Sequence, residues 1–141
     1  MTEIEQNVKI TLHNEIKRDE EVENYELTVF GQYYKKGNSE FLKYEEAQEN
    51  GMVKTILKWT SDHTALVLRS GAVSMRLEHR IKEKTRGSYE HPYGRLPLEA
   101  FTTAISHSVQ NQVHTFQLRY DLNVQQSYVG TYNMTFTFQE V

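Results

Sequence analysis

Cysteine is absent from this 141-residue sequence, which excludes disulfide staples, cysteine-based metal sites and thiol nucleophiles. Long apolar runs are absent as well: no stretch approaches the roughly twenty residues that a membrane-crossing helix requires. Charge of one sign is nowhere concentrated. The net charge is −3 with 25% charged residues, and there is neither an acidic tail nor a basic block of the kind that reads nucleic acid. Lys82 to Arg86 is basic, but it is short, interrupted by Glu83 and lacks the interleaved aromatics of a phosphate-tracking groove. Enzyme signatures are missing too. No Gly-x-Ser-x-Gly elbow, phosphate loop, dinucleotide fingerprint or His-Glu-x-x-His occurs, and no histidine pair has metal-ligand spacing. Met1 to Gln6 lacks the basic and apolar regions of a signal peptide. These absences predict one cytoplasmic domain over residues 1–141, not an enzyme, with no cofactor, no metal, no nucleic-acid partner and no membrane contact.

What is present is a ruler-like alternation. Tyr128, Gly130, Tyr132, Met134, Phe136 and Phe138 fall on one side of a period of two, and Val129, Thr131, Asn133, Thr135, Thr137 and Gln139 on the other. A half-buried β-strand produces this pattern, because successive side chains point to opposite faces. Val8, Ile10 and Leu12 repeat it, as do Tyr25, Leu27, Val29, Gly31 and Tyr33, then Val53, Thr55, Leu57 and Trp59, and His114, Phe116, Leu118, Tyr120 and Leu122. Apolar content is only 38%, and nine tyrosines plus many threonines supply part of the packing surface; both residues suit pleated sheets. Turn signals stand at Asp19 to Glu21, Lys36 to Ser39, Asn50-Gly51, Ser61 to His63 and Asn123 to Ser127. Gly31 reads as a bend or bulge.

Ser70-Gly71 reads as a two-residue hairpin loop. It pairs Arg69 with Ala72 and Leu68 with Val73, which turns Leu66, Leu68, Val73, Met75 and Leu77 inward and Arg69 outward. Lys82 to Arg95 reads as a polar, turn-rich loop. Residues 96–110 fit both a helical stripe (Leu98, Phe101, Ile105, Val109) and a strand (Leu96, Leu98, Ala100, Thr102, Ala104), and the Thr and Ser between 102 and 108 favour a strand. The whole predicts about eight to ten antiparallel strands without a helix. The fold class is all-β. One apolar and one polar face on consecutive strands suit a closed up-and-down barrel, which leaves no open edge, with a sandwich as the alternative.

Several segments resemble a known family. Val53-Lys54-Thr55-Ile56 and Leu68-Arg69-Ser70-Gly71-Ala72-Val73-Ser74-Met75 are similar to the central hairpin of the YwiB-like family of small bacterial proteins of unknown function. Tyr89 with Gly94-Arg95-Leu96-Pro97-Leu98, Tyr120 and Asn133-Met134-Thr135 continue the likeness along nearly the whole chain. The resemblance implies a calycin-like, lipocalin-type β-barrel and a strand over 96–110. It implies no catalytic or binding residues. Departures from better-understood barrels are also visible. Trp59, the single tryptophan, lies far from the first strand, where lipocalins carry Gly-x-Trp. The adjacent Arg119 and Tyr120 must face opposite sides of a strand, so the Arg-x-Tyr carboxylate clasp of intracellular fatty-acid carriers is missing.

Candidate site residues follow from the inward faces. Tyr120 and Tyr132 lie inside the predicted barrel, with Tyr128 as a possible third. Their hydroxyls could orient a small ligand in an apolar pocket, or the rings could fill the barrel with the hydroxyls bonded to each other; the limited room in a barrel of about eight strands favours filling. His79 continues the phase of Met75 and Leu77, and His114 opens its strand. Each is a candidate ligand contact, and calycin-like barrels that hold haem through histidine suggest an axial role, but a wet strand-end position is the expectation for His79. Two function classes remain. One is a barrel binding a small apolar or aromatic ligand in its interior. The alternative is a non-catalytic interaction module or homodimer with a side-chain-filled barrel, using the Tyr89 to Tyr93 loop, since tyrosine is enriched at interfaces.

Overall fold

Alternating residues become strands along almost the entire chain. The structure, a computed structural model, describes residues 5–60 and 63–141, so Ser61 and Asp62 of the predicted turn lie outside the described residues. Ten strands follow one another: β1 (Gln6–Arg18), β2 (Glu21–Lys36), β3 (Ser39–Gln48), β4 (Gly51–Thr60), β5 (Thr64–Gly71), β6 (Ser74–Arg80), β7 (Lys84–His91), β8 (Gly94–Gln110), β9 (Val113–Val124) and β10 (Ser127–Glu140). Each pairs antiparallel with its neighbour in sequence, and β1 pairs with β10 to close the ring. The molecule is therefore a closed up-and-down barrel, in which β2 and β3 pair only from Gly31 to Lys36 and from Ser39 to Tyr44. Residues 96–110 are strand β8, and no helix occurs among the described residues, so none is long and apolar enough to cross a membrane.

The inward face carries the core. Val8, Ile10, Leu42, Val53, Leu57, Leu77, Phe116, Leu118 and Phe138 are all essentially buried, and each contributes about 1.5–3 kcal/mol by leaving water. Gly31 is not a bulge. It pairs in register with Val8 and Tyr44, and a Cβ built there would stand 2.1 Å from the Lys43 carbonyl oxygen. Glycine is needed because two backbones approach closely. The register shifts lie elsewhere, between Thr102 and Ala104 in β8 and between Tyr128 and Gly130 in β10.

Those bulges change which residues face inward. Beyond Thr103 the phase of β8 moves by one, so Ile105 is buried and Ala104 is not on its predicted face. The mixture of two phases is what gives this segment its helix-like spacing. In β10 the shift leaves Tyr128 outside the interior, 53% exposed, against its predicted place beside Tyr132.

The β5–β6 connection also differs from the two-residue loop. Arg69 pairs with Met75 and Val67 with Leu77, so five residues, 70–74, make the turn. Gly71, at φ +107°, pairs with Val53, and the Ala72 amide donates to the Met52 carbonyl at 3.0 Å. The chain thus keeps pairing with β4 before it reverses. A slip of one residue flips every side chain of a strand; here Ala65, Val67 and Arg69 point inward, and Leu66 and Leu68 outward. Lys84–His91 is likewise a strand rather than a loop, with Thr85, Gly87 and Tyr89 on the face towards the interior. A single large apolar residue among them gave the alternation too little contrast to read.

Candidate functional site

The strands supply two different interiors along the barrel axis. At the end formed by the β1–β2, β3–β4, β5–β6, β7–β8 and β9–β10 turns, a cavity of about 490 Å³ opens to solvent. Its wall is mostly aliphatic and aromatic, including Leu12, Leu27, Leu57, Val67, Leu98, Leu118, Met134 and Phe136. The sequence reading favoured a filled barrel; at this end it is not filled. Sites for small ligands have this composition, a mainly apolar wall with a few fixed polar groups, and this range of volume.

The polar groups are concentrated on β3, β4 and β5. Tyr44 pairs with Thr55, and Thr55 with Arg69, so the three side chains form one cross-strand row on the inner face. Glu46, two residues along from Tyr44, lies one step nearer the mouth. Arg69 Nη2 donates to Glu46 Oε1 at 3.1 Å, and both side chains are largely withdrawn from water, 23% and 10% exposed. Arg69 was predicted on the outer face, and the longer β5–β6 connection is the reason it is not. Burial, reinforced by the Glu46 charge and opposed in part by Thr55 and Arg69, pushes the Tyr44 phenol up to about 12. On β1, Asn14 also lines the cavity, and its Oδ1 is buried without a hydrogen-bond partner among the described residues.

Two of the four sequence-derived candidates belong to this cavity. Tyr120 and Tyr132 are cross-strand partners whose rings stack 5.3 Å apart and nearly parallel, and both form part of the wall. Their hydroxyls do not bond each other as the filled-barrel reading expects; Tyr120 Oη instead donates to Met134 Sδ at 3.9 Å. Burial, with Tyr132 nearby, raises the Tyr120 pKa above that of an ordinary phenol, so it stays a donor. Three further polar residues of the lining, Arg69, Glu46 and Asn14, were not legible in the sequence. Arg69 is hidden by the register; Asn14 and Glu46 follow Leu12 and Tyr44 in phase, and a polar residue at an inward position adds no apolar signal.

His79 and His114 lie outside the cavity. His79 is fully buried, not wet. Its Nδ1 is 2.8 Å from Thr102 Oγ1, its ring packs 4.5 Å from that of Tyr120, and burial lowers its pKa to about 3. His79 is not part of the cavity wall, and its Nε2 is buried without a hydrogen-bond partner among the described residues. His114 belongs to the opposite, plugged end. There Trp59 stacks on Phe116 at 4.4 Å and His114 on Phe138 at 4.6 Å, with Tyr33 tilted against His114 at 4.7 Å. Tyr33 donates to Glu40, whose other oxygen is 3.5 Å from His107 Nδ1, and His107 Nε2 is 3.0 Å from His114 Nδ1. Burial is the first cause that lowers both histidine pKa values; Glu40 opposes it. His107 escaped the sequence reading because the bulge at Thr103 moves it to the inner face. No group of three or more His, Asp or Glu side chains fit to hold a metal is found among the described residues.

Comparison with known proteins adds family and fold. Residues 10–136 match the model of a domain of unknown function, DUF1934. The chain is 33% identical over 138 residues to the uncharacterized beta-barrel protein YwiB of Bacillus subtilis (strain 168), covering 96% of each chain. It is also similar to the crystal structure of that ywiB protein, with a TM-score of 0.87 and 30% identity over 97% of this chain and 93% of the other.

Proposed function

This chain belongs to the DUF1934 family of domains of unknown function, and on the geometry of its open barrel we propose that it binds a small apolar or aromatic ligand in the interior. The observation that carries the reading is the cavity of about 490 Å³ with its largely apolar wall. Buried apolar area supplies the affinity, and the few polar groups supply orientation. The closed meander supports the same reading, since calycin-type barrels hold ligands in this way. No catalytic step is part of it. The test is titration with N-phenylnaphthylamine, whose fluorescence rises in apolar surroundings, alongside a Val67→Trp variant that fills the cavity. Uptake by the natural protein is expected, with affinity at least about tenfold weaker in the variant. Equal uptake by both, or none by the natural protein, rejects the reading.

A second reading, a non-catalytic interaction module or homodimer, is favoured by exposed side chains around the same mouth: Tyr25, Met52, Tyr128 and above all Tyr93, which is 92% exposed. Sedimentation that gives a monomer at high concentration, with no partner captured, removes it.

A further inference from the structure

The polar patch inside the cavity is an internally neutralised pair, and that constrains the head group of whatever enters. Arg69 and Glu46 face each other through one bond, Nη2 to Oε1. The guanidinium keeps further N–H donors and the carboxylate keeps Oε2 as an acceptor. A carboxylate ligand brought to Arg69 would meet the like charge of Glu46 at nearly the same distance, and an ammonium brought to Glu46 would meet Arg69. In either case the Coulomb terms nearly cancel, while the ligand's charge still loses its water. An uncharged head that both donates and accepts loses less hydration. It can accept from the spare guanidinium N–H and donate to Oε2 without breaking the pair. The orphaned Asn14 Oδ1 on β1 is a second acceptor for a donor on the ligand.

Resting on the ligand-binding reading above, we propose that the cavity selects an amphiphile with an apolar body and an uncharged hydrogen-bonding head, an amide or alcohol, over its carboxylate or ammonium counterpart. The apolar wall of Leu12, Leu57, Leu118 and Phe136 accommodates the body, and the Arg69–Glu46 pair sets the choice of head.

The test is displacement of bound N-phenylnaphthylamine near neutral pH by decanamide, decanol, decanoate and decylammonium, which share one body and differ in the head. In the natural protein decanamide and decanol displace the probe at concentrations at least about tenfold lower than the two ions. Glu46→Gln leaves Arg69 uncompensated and moves decanoate to the head of the ranking; Arg69→Gln does the same for decylammonium. Decanoate or decylammonium ranking level with decanamide in the natural protein overturns the proposal, whether or not the variants fold. Probe uptake without discrimination among heads rejects this inference alone. No uptake of the probe or of any of the four compounds rejects the ligand-binding reading, and this inference with it.

Discussion

Around the β2–β3, β4–β5 and β8–β9 turns, Tyr33, Trp59, His107, His114, Phe116 and Phe138 meet across the barrel axis in one network of ring contacts. Around the opposite turns, the same ten strands present Leu12, Asn14, Leu27, Val67, Met75 and Leu98 to a space of about 490 Å³. Barrel width grows with strand number, and a barrel of about eight strands is already wide enough that side chains only just fill it. Rings line both ends, but in the plug Trp59 of β4 reaches across the axis to stack on Phe116 of β9, whereas at the open end Tyr120 and Tyr132 stack on each other from adjacent strands. The difference between plug and cavity is therefore one of side-chain reach on a common backbone frame. It also separates roles: close packing of rings stabilises one end, and the other end keeps room for a ligand.

The sharpest way to break this comparison is to truncate one residue at each end. Phe138→Ala, in the plug, should cost about 3–5 kcal/mol, because it leaves a hole in close-packed rings. Met134→Ala, on the cavity wall, should cost less than half as much, since that site already borders open space. Urea unfolding of both variants measures the contrast, and equal losses would mean the two ends are packed alike.

Acid should strike the plugged side first. His79 sits in the row Trp59–Ala65–His79 and is held neutral, with a folded pKa of about 3 against an unfolded value of about 6.5. Above about pH 6.5 neither state holds the proton. Below it the unfolded chain binds a proton that the folded chain refuses, so stability falls as the pH drops from about 6.5 towards 3. The slope from one such histidine is about 1.4 kcal/mol per pH unit. His107 and His114 act in the same direction, because burial lowers both. Unfolding free energies of the natural protein and His79→Gln, compared between neutral and mildly acidic pH, should differ in slope by about one proton. Parallel curves would show that His79 is protonated in the fold.

The smallest effects are expected at the turns. Asn111-Gln112 at the plugged end and Gln125-Gln126 at the open end all have positive φ, between 50° and 70°, without the glycine that a primed turn prefers. Gln112→Gly and Gln126→Gly should each raise stability by about 1 kcal/mol through relief of left-handed backbone. Thermal unfolding of the two variants would show similar gains if backbone strain alone matters, and a smaller gain at Gln126 if the cavity mouth tolerates the strain by flexing.

Much of the fold could be read directly from the pattern. Val8-Ile10-Leu12 and Phe116-Leu118-Tyr120 alternate so cleanly that strands with one buried face follow from the period of two alone. The short connections between them leave each strand next to its predecessor, and β1 closes the ring on β10. Residues 96–110 are a strand despite their helical spacing, and Tyr120 and Tyr132 share the interior as their phase requires. The candidate site was less legible. Arg69 is the clearest example: nothing in Ser70-Gly71-Ala72-Val73 announces that the chain continues to pair with β4, through Lys54 and Val53, for two more residues, yet that continuation sends the guanidinium inward.

The amino-acid sequence by itself determined the all-β class, the order of the strands and most of the buried face, because period-two alternation is a local property of extended backbone. Tertiary structure alone decided the bulges at Thr103 and Val129, the register of β5 on β6, and hence the inward turn of Arg69 and His107. Those depend on hydrogen bonds between strands whose alternatives differ by a single residue. It also decided that one end stays open, since whether a side chain reaches its opposite wall depends on the width of the closed ring and not on any one strand.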